Sequence, residues 1–94
     1  MTTSLLSFSL GRIVATPAAL DALEHSGITE TAMLRFHAAG SWGNVCPEDA
    51  RANDRAVVHG DRILSAYDTP LGKTVWIITE ADRSATTLLL PDDY

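Results

Sequence analysis

His37 opens the pattern H-x-x-G-x-W-G at His37–Gly43, and Asn53 lies in a later helical stretch, three residues after Ala50 and four before Val57. That spacing puts Asn53 on the same helical face as two apolar residues, and His37 falls one turn after Met33. A buried imidazole or carboxamide must find hydrogen-bond partners. The favoured expectation is structural: His37 and Asn53 bond the loop backbone around Trp42 and pin the connection between two helices. The chemical alternative is a pocket floor in which His37 changes protonation near neutral pH.

A second constellation is Glu80, Asp82, Arg83 and Ser84, three charges and a hydroxyl within five residues. Asp and Ser in a turn commonly bond nearby backbone, and an exposed Asp–Arg neighbour pair contributes little. The functional version has Glu80 as an acid or base and Arg83 holding a phosphate or carboxylate, to which a planar guanidinium is suited. The three histidines, His25, His37 and His59, sit in different segments without ligand spacing. The single cysteine, Cys46, has no C-x-x-C partner. No metal site and no cofactor are therefore expected. Cys46 precedes a helix start, where its pKa could fall, but a lone cysteine without a neighbouring base reads as a capping or packing residue. Phosphate-binding glycine loops and G-x-S-x-G are absent from the sequence, which argues against nucleotide and serine-hydrolase chemistry.

The elements that would position these groups follow from pattern. Leu6, Phe8 and Leu10 alternate with serines, predicting a strand with one buried face. Gly11 allows a bulge before Ile13-Val14-Ala15 continues it. Thr16-Pro17 starts a helix that Gly27 ends. Thr29 caps a second helix reaching Gly40, with Ile28 stapling against Met33. Pro47 opens a third, with Glu48 and Asp49 in its first turn, closed by His59-Gly60. Arg62–Tyr67 pairs with Thr74–Thr79 across the Asp68–Gly72 loop, and Thr86–Leu90 returns after the charged turn. Val75–Thr79 is apolar on both faces, which predicts a central strand covered on both sides. Pro91 and Asp92-Asp93 stop the last strand. The order β-α-α-α-β-β-β predicts an α+β fold over residues 1–94. It consists of a small antiparallel sheet, made of the N-terminal strand and a C-terminal three-stranded meander, with about three helices on one face.

With 94 residues the chain makes one domain. Its net charge is −5, spread without acidic or basic blocks: four arginines against six acids over residues 1–60, and three basic residues against six acids beyond. No basic stripe is present, so direct nucleic-acid binding is not expected; the acidity fits a protein-binding or nucleic-acid-mimicking surface. One cysteine allows no internal disulfide, no apolar stretch approaches bilayer length, and the N-terminus lacks a basic leader. A cytoplasmic protein is the expectation.

With H-x-x-G-x-W-G at His37–Gly43, R-I-L-S-x-Y at Arg62–Tyr67 and W-I-I-T-E-A-D-R-S-x-T-T-x-L-L-P at Trp76–Pro91, the chain resembles a family of small bacterial proteins of plasmids and integrated elements. The resemblance runs from Leu10 onward. It implies a mobile-element accessory protein that acts by protein–protein binding. Its partner would be a larger complex such as a CRISPR effector or a restriction enzyme, with inhibition of host defence as the role. Trp42, Glu80, Asp82, Arg83 and Tyr94 are the candidate binding residues, with the two aromatics as anchors. A fold-level likeness to barnase/EndoU/colicin/RelE-like ribonucleases implies an alternative: a metal-independent nuclease using His37 as acid or base, Arg83 on the phosphorane, and Thr86 or Thr87 beside them. No residue is firmly assigned a catalytic role.

Overall fold

The computed structural model describes residues 8–94. Four strands and three helices occur in the order β1 (Arg12–Ala15), α1 (Pro17–Ser26), α2 (Glu30–Ala38), α3 (Pro47–His59), β2 (Ile63–Asp68), β3 (Thr74–Thr79) and β4 (Ala85–Leu89), followed by a 3₁₀ turn at Pro91–Asp93. The strands form one sheet ordered β1-β4-β3-β2. The meander β2-β3-β4 is antiparallel, as its short loops require. β1 joins β4 in parallel, Arg12 beside Ala85 through Ala15 beside Leu88. Three helices separate the two in sequence, which is the long connection that parallel neighbours need. The fold is α+β, and its sheet is mixed.

The strand read from the alternation at Leu6–Leu10 falls partly outside the described residues. Leu6 lies outside the described residues, and Phe8–Leu10 is irregular chain leading to β1. At Gly11 φ is +66°, and a Cβ there would run into the carbonyl of Arg83 and the backbone of Ser84. The chain can press against the β3–β4 turn at this point only because the residue has no side chain.

Local sequence explains the helices. The hydroxyls of Thr16 and Thr29 accept the amides of Ala19 and Ala32, each capping a free helix start. Pro17 and Pro47 stand at first helical positions. Ala19, Ala22 and Leu23 of α1 and Met33 of α2 pack against Val75, Ile77 and Leu88 of the sheet, with Ile28 seated at their margin. Farther along, Ala56 of α3 and Trp42 enclose Ile63. The period-two register puts Ile63, Ser65, Val75, Ile77, Thr79, Thr86 and Leu88 on this one face.

The opposite face, with Leu64, Ala66, Trp76, Ile78, Thr87 and Leu89, carries no helix among the described residues. The C-terminal 3₁₀ turn folds back against β3 there. As expected, β3 is an internal strand with residues buried on both faces, Val75, Ile77 and Thr79 under the helices and Ile78 on the other side. Its apolar second face is closed by neighbouring side chains and a short turn.

Candidate functional site

His37 is completely buried, and both ring nitrogens are bonded to sheet residues. Nδ1 lies 2.5 Å from the Ser65 hydroxyl and Nε2 lies 2.8 Å from that of Thr79. Thr79 Oγ1 is 2.7 Å from Thr86 Oγ1, which donates at 2.7 Å to the carbonyl of Leu10. The end of this chain fixes its direction. A carbonyl can only accept, so the Thr86 hydroxyl is committed as donor and must accept from Thr79. Thr79 in turn accepts from His37, and the proton of the neutral ring sits on Nε2. Ser65 then donates to Nδ1. Desolvation lowers the pKa of His37 from 6.5 to about 4, so the ring is neutral at physiological pH. Partners for His37 and Asn53 were expected on the loop backbone around Trp42, and the structure places them on the sheet instead. Asn53 exchanges two hydrogen bonds with the backbone of Leu64.

Phe8 and Trp42 roof the imidazole. Phe8 meets it edge-on with centroids 5.3 Å apart, Trp42 at 5.9 Å, and the two aromatic rings stack on each other at 6.2 Å. Trp42 is 6% exposed, and its Nε1 donates to Asp54. The expectation that Trp42 is an exposed anchor is corrected: its indole fills the space between α2, α3 and the edge of the sheet. Gly43, at φ +79°, lets the loop lie against the carbonyl of Ala66 and the ring of Tyr67.

Arg83 is bound internally. Its guanidinium donates to the carbonyls of Asp61, Glu80, Ala81 and Ala56, and its Cζ stands 5.6 Å from the Phe8 ring centroid. Its backbone takes φ +61°, a conformation a non-glycine residue holds only with outside support. The carbonyl contacts supply that support, joining the β3–β4 turn to the C-terminal end of α3. Asp82 is exposed, and its carboxylate accepts the Ser84 amide; hydrogen bonding to Ser84 lowers its pKa. Glu80 is exposed beside it.

Of the residues named for the nuclease alternative, His37 is fully buried, and the Arg83 guanidinium is taken up by backbone carbonyls. His37 and Thr86 lie on the helix-covered face, and Thr87 lies on the other by strand alternation. The Phe8 ring contacts both His37 and Arg83. Among the described residues, no three His, Cys, Asp or Glu side chains gather as a metal site. Cys46 is free and exposed at the start of α3, with no side-chain capping bond.

The accessible chemistry lies on the helix-free face. Tyr94 is 70% exposed; its ring meets Trp76 edge-on at 5.9 Å. Arg62 donates to the Tyr94 hydroxyl at 2.8 Å, with its Cζ 5.4 Å from the ring centroid. Beside this trio a cleft of about 250 Å³ runs between α3 and β2, lined by Asp49, Ala52, Asn53, Arg62 and Leu64. Exposed acids flank the trio in sequence, Asp61 beside Arg62, and Asp92 and Asp93 before Tyr94. Tyr94 was legible as a candidate. Trp76 and Arg62 were missed, although Trp76 is out of phase with Val75 and Ile77, which a two-residue period assigns to the other face. No helix of the described chain is long and apolar enough to cross a membrane. Compared with known proteins, this chain matches no family model, no curated protein and no solved structure.

Proposed function

We propose that this protein is a non-catalytic binding module that docks on a larger protein through the helix-free face of its sheet. The observation that carries this reading is the Trp76–Tyr94–Arg62 cluster, an aromatic pair and a guanidinium presented beside an open cleft. Aromatic and arginine side chains are the types that dominate binding energy at protein interfaces. The acids flanking the cluster in sequence and the net charge of −5 suit a partner with a basic surface, of the kind that binds nucleic acid. Together with the resemblance to proteins of mobile elements, this points to an accessory protein that blocks a host-defence complex, a CRISPR effector or a restriction enzyme.

The test is direct mixing with a purified effector of each class, followed by size separation and a DNA-cleavage assay. A stable complex that lowers cleavage, and whose affinity drops at least about tenfold in Tyr94→Ala or Arg62→Ala, supports the reading. Failure to bind either class, together with RNA cleavage lost in His37→Gln, replaces it with the nuclease alternative.

A further inference from the structure

The two edges of the sheet are finished differently. Along β2 the outward backbone groups of Leu64 and Ala66 are occupied. Asn53 Nδ2 donates to the Leu64 carbonyl at 2.7 Å, and Asn53 Oδ1 accepts the Leu64 amide at 3.2 Å. The Ala66 amide donates to the Trp42 carbonyl at 3.0 Å, and the Ala66 carbonyl accepts from the Asn44 amide at 2.6 Å. Along β1 the amides of Arg12 and Thr16 donate inward to Ser84 and Leu88. In this register Val14 also points inward, so the N–H and C=O of Ile13 and Ala15 face away from the sheet. Among the described residues nothing pairs with them. Ile13 and Val14 are 40% and 38% exposed, and the strand has no proline, lysine or bulge to blunt its edge. Phe8, the first described residue, is packed against Trp42 and His37, toward the β2 side of the sheet.

An unpaired edge selects another extended backbone, and here a second copy of β1 is complementary to the first. In an antiparallel pair about a twofold axis perpendicular to the sheet, facing residues must share a sheet face. The register that uses every outward group sets Ile13 opposite Ala15 of the second copy, Val14 opposite Val14, and Arg12 opposite Thr16. It forms four backbone hydrogen bonds. Sliding by two residues, with Ile13 opposite Ile13, retains only two and leaves Arg12 facing Val14. In the first register, charge also matches. The Thr16 hydroxyl donates at 2.7 Å to the Asp93 carboxylate, so each Arg12 faces the Asp93 of the other copy, twice over. We infer that this protein self-associates through β1, forming a dimer with one continuous eight-stranded sheet in which Arg12–Asp93 pairs select the register. This pairing does not depend on the docking function proposed above.

Sedimentation of the full chain over a range of concentrations tests the state, and a cysteine scan tests the register. In a Cys46→Ser background, Val14→Cys brings two thiols into a non-hydrogen-bonded cross-strand pair. The Cα separation there, about 4.5 Å, lies within disulfide range. The expected result is a concentration-dependent dimer and rapid oxidation of Val14→Cys to a covalent dimer, with little cross-linking of Thr87→Cys on the same face. Ile13→Pro removes an outward amide while leaving the bonds to β4, and Arg12→Glu sets acid against Asp93. Each should weaken the dimer at least tenfold without changing the thermal midpoint of the monomer by more than a few degrees, and Arg12→Glu should reverse the salt dependence, so that added salt strengthens the residual dimer. A chain that remains monomeric at every concentration, as it would if its own first residues occupied the edge, overturns the inference. So does a dimer that ignores both substitutions or leaves Val14→Cys unlinked.

Discussion

The Nε2 of His37 and the hydroxyl of Thr79 lie 2.8 Å apart, and that contact binds α2 to the middle of the sheet through a proton whose position is dictated three groups away, at the carbonyl of Leu10. The ring is therefore the Nε2–H tautomer. Long-range ¹⁵N correlation at neutral pH should show a protonated Nε2 and a bare Nδ1. The opposite pattern would break the assigned direction of the whole chain.

Stability should depend on pH through this residue. Its folded pKa is about 4, against 6.5 for the free side chain, so between these values the unfolded chain binds a proton that the folded chain refuses. The contribution is complete above pH 6.5 and is lost as pH falls toward 4, amounting to roughly 3 kcal/mol over that window. Urea titrations of wild type and His37→Gln across the range should differ in slope in that sense. Parallel curves for the two proteins would contradict it.

Thr86→Val keeps the shape of the side chain and interrupts the chain of hydroxyls. It takes the donor from the carbonyl of Leu10 and the acceptor from the hydroxyl proton of Thr79. A loss of about 1–3 kcal/mol is expected by chemical denaturation, with the Thr79 variant similar. The two changes together should cost less than their sum, because both break one network.

Asn53→Ala removes both bonds that satisfy Leu64 on the β2 edge. The expected cost is about 2 kcal/mol, and exchange of the Leu64 amide with deuterium should accelerate more than that of Ile77, whose environment is unchanged.

Arg83→Lys should be far from conservative. A single ammonium cannot span carbonyls from α3 and from the β3–β4 turn at once, as the fork does. Destabilisation of about 2 kcal/mol is expected. Arg83→Gly relaxes the positive φ but loses the same contacts, so it should restore no more than about 1 kcal/mol relative to Lys.

Much of this layout was readable in residue order. Thr16-Pro17, Thr29 and Pro47 mark helix starts by chemistry confined to a few neighbouring atoms, and Gly27 and Gly60 mark ends in the same local way. The meander followed from turn residues and alternation. What escaped was non-local. Nothing in Arg12–Ala15 announces that its partner is β4 and that they run parallel, because that depends on where three helices deliver the chain. Trp42 looked like a loop aromatic, and only the packing of α3 beside it makes it interior. Arg83 reads from sequence as part of a polar turn or as an anion-holding group, because its acceptors, carbonyls brought in from Ala56 and Asp61, leave no mark in side-chain composition. His37 and Asn53 were recognised as buried polar groups. Their partners on the sheet required a register that sequence does not print.

The blocking of the β2 rim by Asn53 and the Trp42–Asn44 segment has a consequence for growth. A sheet receptive on both sides can extend indefinitely, whereas among the described residues this one offers a single landing place. Once two copies meet there, only obstructed rims point outward, so propagation terminates after one step and ribbon-like polymers have no route to form.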